Sequence, residues 1–179
     1  MSIHQAYLHE ADKTRCISKI VITASGTVNT GSQSTSEQLN YFHWRIYLVL
    51  PATEGTNSEN QSVLLDMIPT NPPIGTLIIS SKSNAASTAR NKIELAIAPS
   101  PDLTVGQVID LFIKNRLHHY KFDESGSGCL YWTITAVDLL EKAQYCEADA
   151  TQNLHGFHEM HAHAHPERHP LPLRKGQFY

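Results

Sequence analysis

The chain has 179 residues, of which 41% are hydrophobic and 17% are charged, and its formal net charge is −3 at pH 7. This length predicts a single domain over residues 1–179, since compact domains commonly have roughly 100–200 residues. The nearly balanced charge disfavours nucleic-acid binding through a basic surface, and no apolar run approaches the roughly 20 residues that span a bilayer.

The N-terminus and the cysteines indicate a reducing compartment. Met1–Gln5 lacks the basic and apolar segments of a secretory signal. The three cysteines, Cys16, Cys129 and Cys146, are an odd number without paired spacing, which does not fit a disulfide framework. We therefore expect a cytoplasmic protein with at least one free thiol.

The first half of the chain has the alternating, β-branched pattern of strands. Cys16–Ser25 and His43–Leu50 are the clearest examples, and the polar segment Thr27–Gln38 between them is interpreted as a loop that covers the cleft as a lid. Further strands are predicted at Ser62–Met67, Leu77–Ser81 and Ile93–Ala98. We expect a mostly antiparallel sheet of about five strands.

Two helices are predicted after these strands. Thr104 is a suitable N-cap for a helix that runs to about His119. A glycine-rich turn, Asp123–Gly128, then leads to Cys129 and an apolar helix that ends at about Ala143. Since the helices must bury their apolar faces against the sheet, we expect an α+β domain.

The C-terminal part shows weaker patterns. Residues 145–170 contain small polar residues and many histidines without evident periodicity, so we predict an irregular histidine-rich loop. Leu171–Tyr179 is predicted to return to the sheet edge, because Pro170 and Pro172 disfavour a central strand. Such an edge could pair with a second chain to give a homodimer.

Cys129 is the strongest candidate for chemistry. It follows Gly128 at a predicted helix start, where unpaired N–H groups and the helix dipole stabilise an anion. Cysteines in such positions can have a depressed pKa, and the thiolate is the nucleophile. The alternative is that Cys129 is a small apolar side chain that fills the helix start.

A thiolate nucleophile needs a base, and His43 at the beginning of the strongest strand is the best-placed histidine. Alternatively, His43 is an ordinary half-exposed strand residue. The base in turn needs an acceptor that orients it, for which Asn40, Asn60 and Asp66 are all available. We predict Asp66, because its strand is the natural partner of the strand that carries His43.

Aromatic and basic residues near the predicted nucleophile and base are the candidates for contacts with a small-molecule substrate. These are Trp44, Arg45, Tyr47, Tyr131 and Trp132.

The sequence also resembles a known group of proteins. A histidine that opens a strand, in Phe42–Tyr47, followed by further strands and then Gly128-Cys129 at a helix start, looks like the circularly permuted papain-like fold. That group includes the lecithin:retinol acyltransferase-like and NlpC-type families, and the resemblance covers about Tyr41 to Ala143. These families commonly have Asn-Cys where this chain has Gly-Cys.

The resemblance implies a reaction. Cys129 would attack an ester, thioester or amide carbonyl after His43 takes its proton, and the acyl group would pass to water, an amine or an alcohol. Gly128–Trp132 and Arg174–Tyr179 are also similar to a family of small, functionally uncharacterised fungal proteins, which suggests a role in fungal secondary metabolism.

The histidine-rich segment is a second candidate site. Imidazole and carboxylate groups suit zinc, nickel or copper, and the candidate ligands are His158, His161, His163 and His165. We expect at most adventitious zinc or nickel there, and no other cofactor, because the segment does not look preorganised.

Two further functions compete with acyl transfer. A non-covalent small-molecule binding protein or cyclase on the same fold predicts an apolar pocket in which Cys129 is dispensable. A metal-handling protein predicts tight, stoichiometric binding of zinc or nickel by the histidine-rich segment.

Overall fold

The structure, a computed structural model, describes residues 2–26, 41–52 and 60–179. In this part of the chain, eight strands and three α-helices form an α+β arrangement, which confirms the predicted fold class. The predicted lid, Thr27–Gln38, lies outside the described residues. None of the described helices is both long enough and apolar enough to cross a membrane.

Four of the eight described strands have eight to ten residues each, and the other four have two to five. The strands are β1 (Ile3–Tyr7), β2 (Lys19–Gly26), β3 (Phe42–Val49), β4 (Ser62–Asn71), β5 (Ile74–Lys82), β6 (Ile93–Ile97), β7 (Tyr120–Lys121) and β8 (Gln177–Phe178). The helices are α1 (Val105–Lys114), α2 (Cys129–Lys142) and α3 (Ala150–Ala164), and a short 3-10 helix covers Glu10–Thr14.

All strands join one sheet, in the order β6-β2-β3-β4-β5-β7-β8, with β1 paired to β5. The neighbours along this path are antiparallel, and β1 is parallel to β5. The prediction of about five strands was too low. The five predicted strands correspond to β2–β6, and β8 at the sheet edge lies within Leu171–Tyr179, which was predicted to return there. In contrast, β1 and β7 have only five and two residues and depend on pairing that a local pattern does not reveal.

The alternation within β3 separates two apolar regions. Trp44, Ile46 and Leu48 point into the main core, which the helices cover. Tyr47 belongs instead to a small cluster with Val21 and Leu64 on the opposite face. Arg45 and Tyr47 thus lie on the face of β3 away from the main core, as the period of two predicts, whereas His43 lies at the start of the strand, beside the start of α2.

Helix α1 begins as predicted and ends earlier. Thr104 and Gln107 form a capping box, in which each side chain bonds to the backbone of the other residue. The predicted end at His119 was wrong, because the chain leaves the helix at Asn115 and Arg116 has a positive φ of 56°. This reversal uses no glycine, which is the usual sequence signal for such a conformation.

Helix α3 replaces the irregular loop predicted for residues 145–170. Ala150, Leu154, His158 and Ala162 are buried at intervals of four residues, which is one face of a helix. The pattern was missed because one of the four is histidine, counted as polar in the sequence. The buried face packs against α2 and the sheet.

The start of α3 is capped from another helix. Glu141 of α2 accepts hydrogen bonds from the N–H groups of Asp149 and Thr151 at 3.1 and 2.9 Å, and from the Thr151 hydroxyl at 2.7 Å. Asp149 itself makes no side-chain cap. The cap is eight to ten residues away in the chain, so the usual local signal for a helix start is missing.

Candidate active site

The three predicted catalytic residues come from three different elements. His43 lies at the start of β3, Asp66 on β4 and Cys129 at the first position of α2. In the pairing of β3 with β4, Ile46 is opposite Leu65, which places Asp66 beside Arg45 and on the same face as His43. Strand register and helix position thus bring together residues that are far apart in the chain.

The His43 ring bonds directly to the Asp66 carboxylate. Its Nε2 lies 2.5 Å from Asp66 Oδ1, and both side chains are more than four-fifths buried. Arg45 Nε donates to the other carboxylate oxygen, Oδ2, at 3.1 Å, and its guanidinium also donates to Ser25 Oγ at 3.2 Å. Asp66 is therefore held on both oxygens, and it fixes the orientation of the imidazole.

Cys129 faces the other side of the His43 ring. Since Nε2 is occupied by Asp66, Nδ1 is the nitrogen that remains for the thiol, which is hydrogen-bonded to His43 and to the backbone N–H of Trp44. The Cys129 Sγ also lies 4.0 Å from the carbonyl oxygen of Phe42. The result is a continuous chain of contacts from thiol to imidazole to carboxylate.

These contacts change the pKa of each group. Burial alone would raise the pKa of Cys129, but the hydrogen bond with His43 and the charge of its imidazolium lower it below the ordinary value. Burial alone would lower the pKa of His43, but the hydrogen bonds with Asp66 and Cys129 raise it to about 9. The pKa of Asp66, which burial would raise, is lowered chiefly by His43. All three directions favour a thiolate–imidazolium pair at neutral pH.

The start of α2 is shaped by a glycine that has no room for a side chain. Gly128 has φ of 130°, and a Cβ there would lie 2.6 Å from the Tyr120 hydroxyl. That hydroxyl donates to the Gly128 carbonyl oxygen at 2.7 Å and accepts from the Gly176 N–H at 2.9 Å. Gly128 also offers no capping side chain, so the first N–H groups of α2 remain available next to Cys129.

The thiol opens into a cavity of about 470 Å³. This volume is within the usual range for small-ligand sites, roughly 300–1,000 Å³. It is lined by Tyr41, Phe42, His43, Trp44, Pro69, Phe122, Ser125, Gly126, Ser127, Gly128, Cys129, Leu130, His158, Arg168, His169, Pro170, Leu173 and Arg174.

Of the five predicted substrate contacts, Trp44 lines this cavity. The assignment of Trp132 was wrong, because its side chain is fully buried in the core and its Nε1 donates to the Leu117 carbonyl oxygen at 2.9 Å. Tyr47 lies in the small cluster on the opposite face of the sheet, and Arg45 is engaged with Asp66. Tyr131 packs beside Phe178, away from the described cavity wall.

Part of the cavity wall was missed at the sequence level. His158 comes from α3, and Arg168 and His169 come from the turn after it. This turn is fastened to β3 by a hydrogen bond from the Phe42 N–H to the Arg168 carbonyl oxygen at 3.0 Å. The sequence signal that could have revealed this wall is the four-residue spacing of the buried residues of α3, which places His158 on the buried face of that helix.

The four predicted metal ligands do not converge. His158 packs against Trp44, His161 against Phe157, His163 Nδ1 contacts the Glu159 carbonyl oxygen, and His165 is exposed near Glu167. Within residues 2–26, 41–52 and 60–179, no group of three or more histidine, cysteine or acidic side chains is arranged to hold a metal ion.

The other two cysteines lack the environment of Cys129. All three cysteines are free, as expected from their odd number and spacing. Cys16 is exposed, and burial raises the pKa of Cys146 to about 11.

Comparison with known proteins finds one family. The family described as Domain of unknown function (DUF7770) matches residues 20–179. No curated protein and no solved structure matches the chain. The match covers the sheet from β2 onward, all three helices and every residue of the site.

Proposed function

The chain belongs to the DUF7770 family, and we propose that it catalyses thiol-dependent acyl transfer or hydrolysis on a small ester, thioester or amide. The observation that carries this proposal is the His43 imidazole, which bonds to Asp66 on one side and to the Cys129 thiol on the other, at the wall of a cavity of about 470 Å³. A nucleophile, a base and a group that orients the base are the parts needed for covalent acyl transfer.

The first half of the reaction forms a thioester. The Cys129 thiolate attacks the substrate carbonyl carbon, and the carbonyl π electrons move to oxygen. When the carbonyl re-forms, the bond to the leaving alcohol, thiol or amine breaks, and the His43 imidazolium gives that group its proton. Asp66 keeps the ring in place while its charge changes.

The second half releases the acyl group. Neutral His43 takes a proton from water, or from an acceptor amine or alcohol, as that nucleophile attacks the thioester. The Cys129 thiolate leaves and His43 is again protonated, so the starting ion pair is regenerated. Which acceptor is used decides between hydrolysis and transfer.

The first N–H groups of α2 support the developing negative charge on the carbonyl oxygen. They have no side-chain cap from Gly128, and they lie at the positive end of the helix dipole beside Cys129. Backbone N–H groups in this arrangement serve as an oxyanion hole in acyl-transfer enzymes.

The order of the residues also supports the proposal. A histidine that opens a strand, followed by further strands and by a cysteine at a later helix start, resembles the permuted papain-like proteins. Gly128 replaces the asparagine common in those families, and its positive φ and contact with Tyr120 give this position a structural reason to be glycine.

The test is to compare the wild type with Cys129→Ser and His43→Ala. We expect p-nitrophenyl ester turnover by the wild type, with an acyl adduct on Cys129 detectable by mass spectrometry after rapid acid quenching. Both variants should lose turnover, and His43→Ala should raise the pH at which iodoacetamide alkylates Cys129. A normal thiol titration in the wild type, unchanged by His43→Ala, would exclude this mechanism and favour non-covalent binding.

A further inference from the structure

Two histidines in the cavity wall have ring nitrogens that lack a partner. His158 and His169 are 3% and 2% exposed. Neither His158 Nε2 nor His169 Nδ1 has a hydrogen-bond partner among the described residues. Because buried polar groups are normally hydrogen-bonded, these two nitrogens in one cavity wall are positions at which a bound ligand would gain hydrogen bonds.

The surrounding rings hold these two histidines in place. The Trp44 ring meets each of them edge to face, at centroid distances of 6.0 Å. Phe42 contacts His169 in the same manner at 5.1 Å, and the two histidine rings are 6.1 Å apart. These ring contacts restrict the orientation of both histidines, so only a small shift of the wall is needed for a ligand to reach their ring nitrogens.

Apart from the Cys129–His43 pair, the charged side chains described in the cavity lining are positive. Arg168 and Arg174 line it, whereas no aspartate or glutamate is found among its described lining residues. The Arg168 guanidinium lies over the Phe42 ring, 5.3 Å from its centroid, and makes a long contact of 3.5 Å with the exposed Glu167. The positive end of α2 adds to this potential.

The histidines contribute hydrogen bonds rather than charge. Burial, followed by the charges of neighbouring histidines, lowers the pKa of His169 to about 4, and burial likewise lowers the pKa of His158. Both rings are therefore neutral at neutral pH. A neutral imidazole can donate one hydrogen bond and accept one, and it does not repel the cationic arginines.

We propose that this cavity selects acyl substrates that carry an anionic oxygen group, either carboxylate or phosphate. Arg168 and Arg174 attract the anion, and His158 and His169 hydrogen-bond to polar atoms of the substrate next to Cys129. This inference rests on the proposed acyl-transfer function, whose substrate class it specifies.

The first test compares an anionic with a neutral alkylating reagent. Iodoacetate and iodoacetamide both form a bond between Cys129 sulfur and carbon with loss of iodide, and they differ in charge. The rate ratio of iodoacetate to iodoacetamide should fall about three- to tenfold in the double variant Arg168→Gln/Arg174→Gln, and rising salt should reduce the wild-type ratio.

Two variants serve as controls for this ratio. Arg168→Lys/Arg174→Lys keeps both charges and should retain most of the wild-type ratio. Lys175→Gln removes a charge whose amine lies over the Tyr131 ring, outside the cavity lining, and should leave the ratio unchanged. An unchanged ratio in Arg168→Gln/Arg174→Gln, or an equal fall in Lys175→Gln, overturns the proposal.

The second test identifies the anion and examines the histidines. Glutarate or inorganic phosphate should protect Cys129 from iodoacetamide, and the effective ligand identifies carboxylate or phosphate as the group bound. His158→Gln and His169→Gln should weaken this protection. If neither glutarate nor inorganic phosphate protects Cys129, the proposal is overturned. If the histidine variants do not fold, the arginine variants still test the anion selectivity through the alkylation-rate ratio, because Arg168 and Arg174 are at less buried positions.

Substrate pairs separate this inference from the proposed function. The p-nitrophenyl monoester of glutaric acid should have a higher kcat/KM than p-nitrophenyl valerate, which has a neutral chain of the same length. Equal turnover of both esters overturns the anion selectivity and leaves the thiol mechanism intact. If neither ester is turned over but the iodoacetate-to-iodoacetamide rate ratio still depends on the two arginines, the acyl-transfer function is overturned and the anion site is retained.

Discussion

His43 couples the charge of Cys129 to that of Asp66. Its imidazole is more than four-fifths buried, and as an imidazolium it donates one N–H to the Asp66 carboxylate and the other to the Cys129 thiolate. Two interacting groups titrate as a pair. The thiolate and the imidazolium therefore stabilise each other, and removing either one changes the pKa of the other.

The pH dependence of turnover follows from this coupling. The pKa of His43 is raised to about 9, so the imidazolium persists at neutral pH and is lost as the pH rises through about 9. In the proposed mechanism this imidazolium protonates the leaving group. The kcat/KM for ester hydrolysis should fall above that pH. Alkylation by iodoacetamide needs only the thiolate, so its rate should stay on a plateau over the same range. A parallel fall of both rates would contradict the assignment of the proton to His43.

Asp66→Asn should weaken the pair without removing the hydrogen-bonding side chain. With the carboxylate absent, the pKa of His43 falls, and the alkaline limb of kcat/KM moves to lower pH. We expect a decrease in kcat/KM of about tenfold or more. The matched control is Asp110→Asn, at an exposed position on α1. Equal profiles for Asp66→Asn and the wild type would show that Asp66 does not act on His43.

For individual residues, the sequence predicted where the candidate site residues lie in the chain better than it predicted which side chains contact one another. Cys129 and His43 could be found because a helix start after glycine and the start of a strand are local patterns. Asp66 was one of three candidates, and strand pairing selected it. The direction of the Trp132 side chain depends on how α2 rotates against the sheet, which the sequence near Cys129 does not determine.

Among the elements, α3 begins with a cap that comes from another helix. Its first N–H groups are bonded by Glu141 of α2, and these hydrogen bonds lower the pKa of Glu141. The end of one helix thus positions the helix that supplies His158. The lowered pKa means that this stabilisation is complete above the ordinary pKa of a glutamate and is lost as the pH falls through the lowered value.

Glu141→Gln tests this contact. The substitution removes the charge at the start of α3 and one acceptor oxygen, so the melting temperature should decrease and amide hydrogen exchange should accelerate in α3 more than in α2. Glu159→Gln, an exposed change within α3, is the control. Unchanged exchange in α3 would show that the Glu141 cap contributes nothing to the stability of that helix.

Tyr120 connects β7, the start of α2 and the segment before β8. Its buried hydroxyl donates to Gly128 and accepts from Gly176, so Tyr120→Phe leaves a carbonyl and an N–H without their partner. The free energy of unfolding should decrease by about 2 kcal/mol, measured by urea denaturation. Tyr131→Phe, at a partly exposed position nearby, is the control. A decrease of equal size in both variants would argue against a specific role of this hydroxyl.

For the whole molecule, the α+β class and the five strands β2–β6 could be predicted because apolar periodicity reports burial directly. The return of Leu171–Tyr179 to the sheet edge was also predicted, and β8 lies within it. The short strands β1 and β7 could not be predicted, since their pairing with a distant part of the chain stabilises them more than their own composition does. The cavity was not predictable for the same reason. Its wall combines residues from β3, α2, α3 and the segment after α3.

The separation of the site residues along the chain has a consequence for folding. Cys129 contacts Phe42 across 87 residues, and the turn that holds His169 bonds to the same residue of β3. Contacts of such long range require a long stretch of chain to be closed, which costs conformational entropy during folding. Because contacts with His43 and Trp44 lower the pKa of Cys129, a chain in which they have not formed has a thiol of ordinary pKa, and the proposed mechanism gains its nucleophile only on folding.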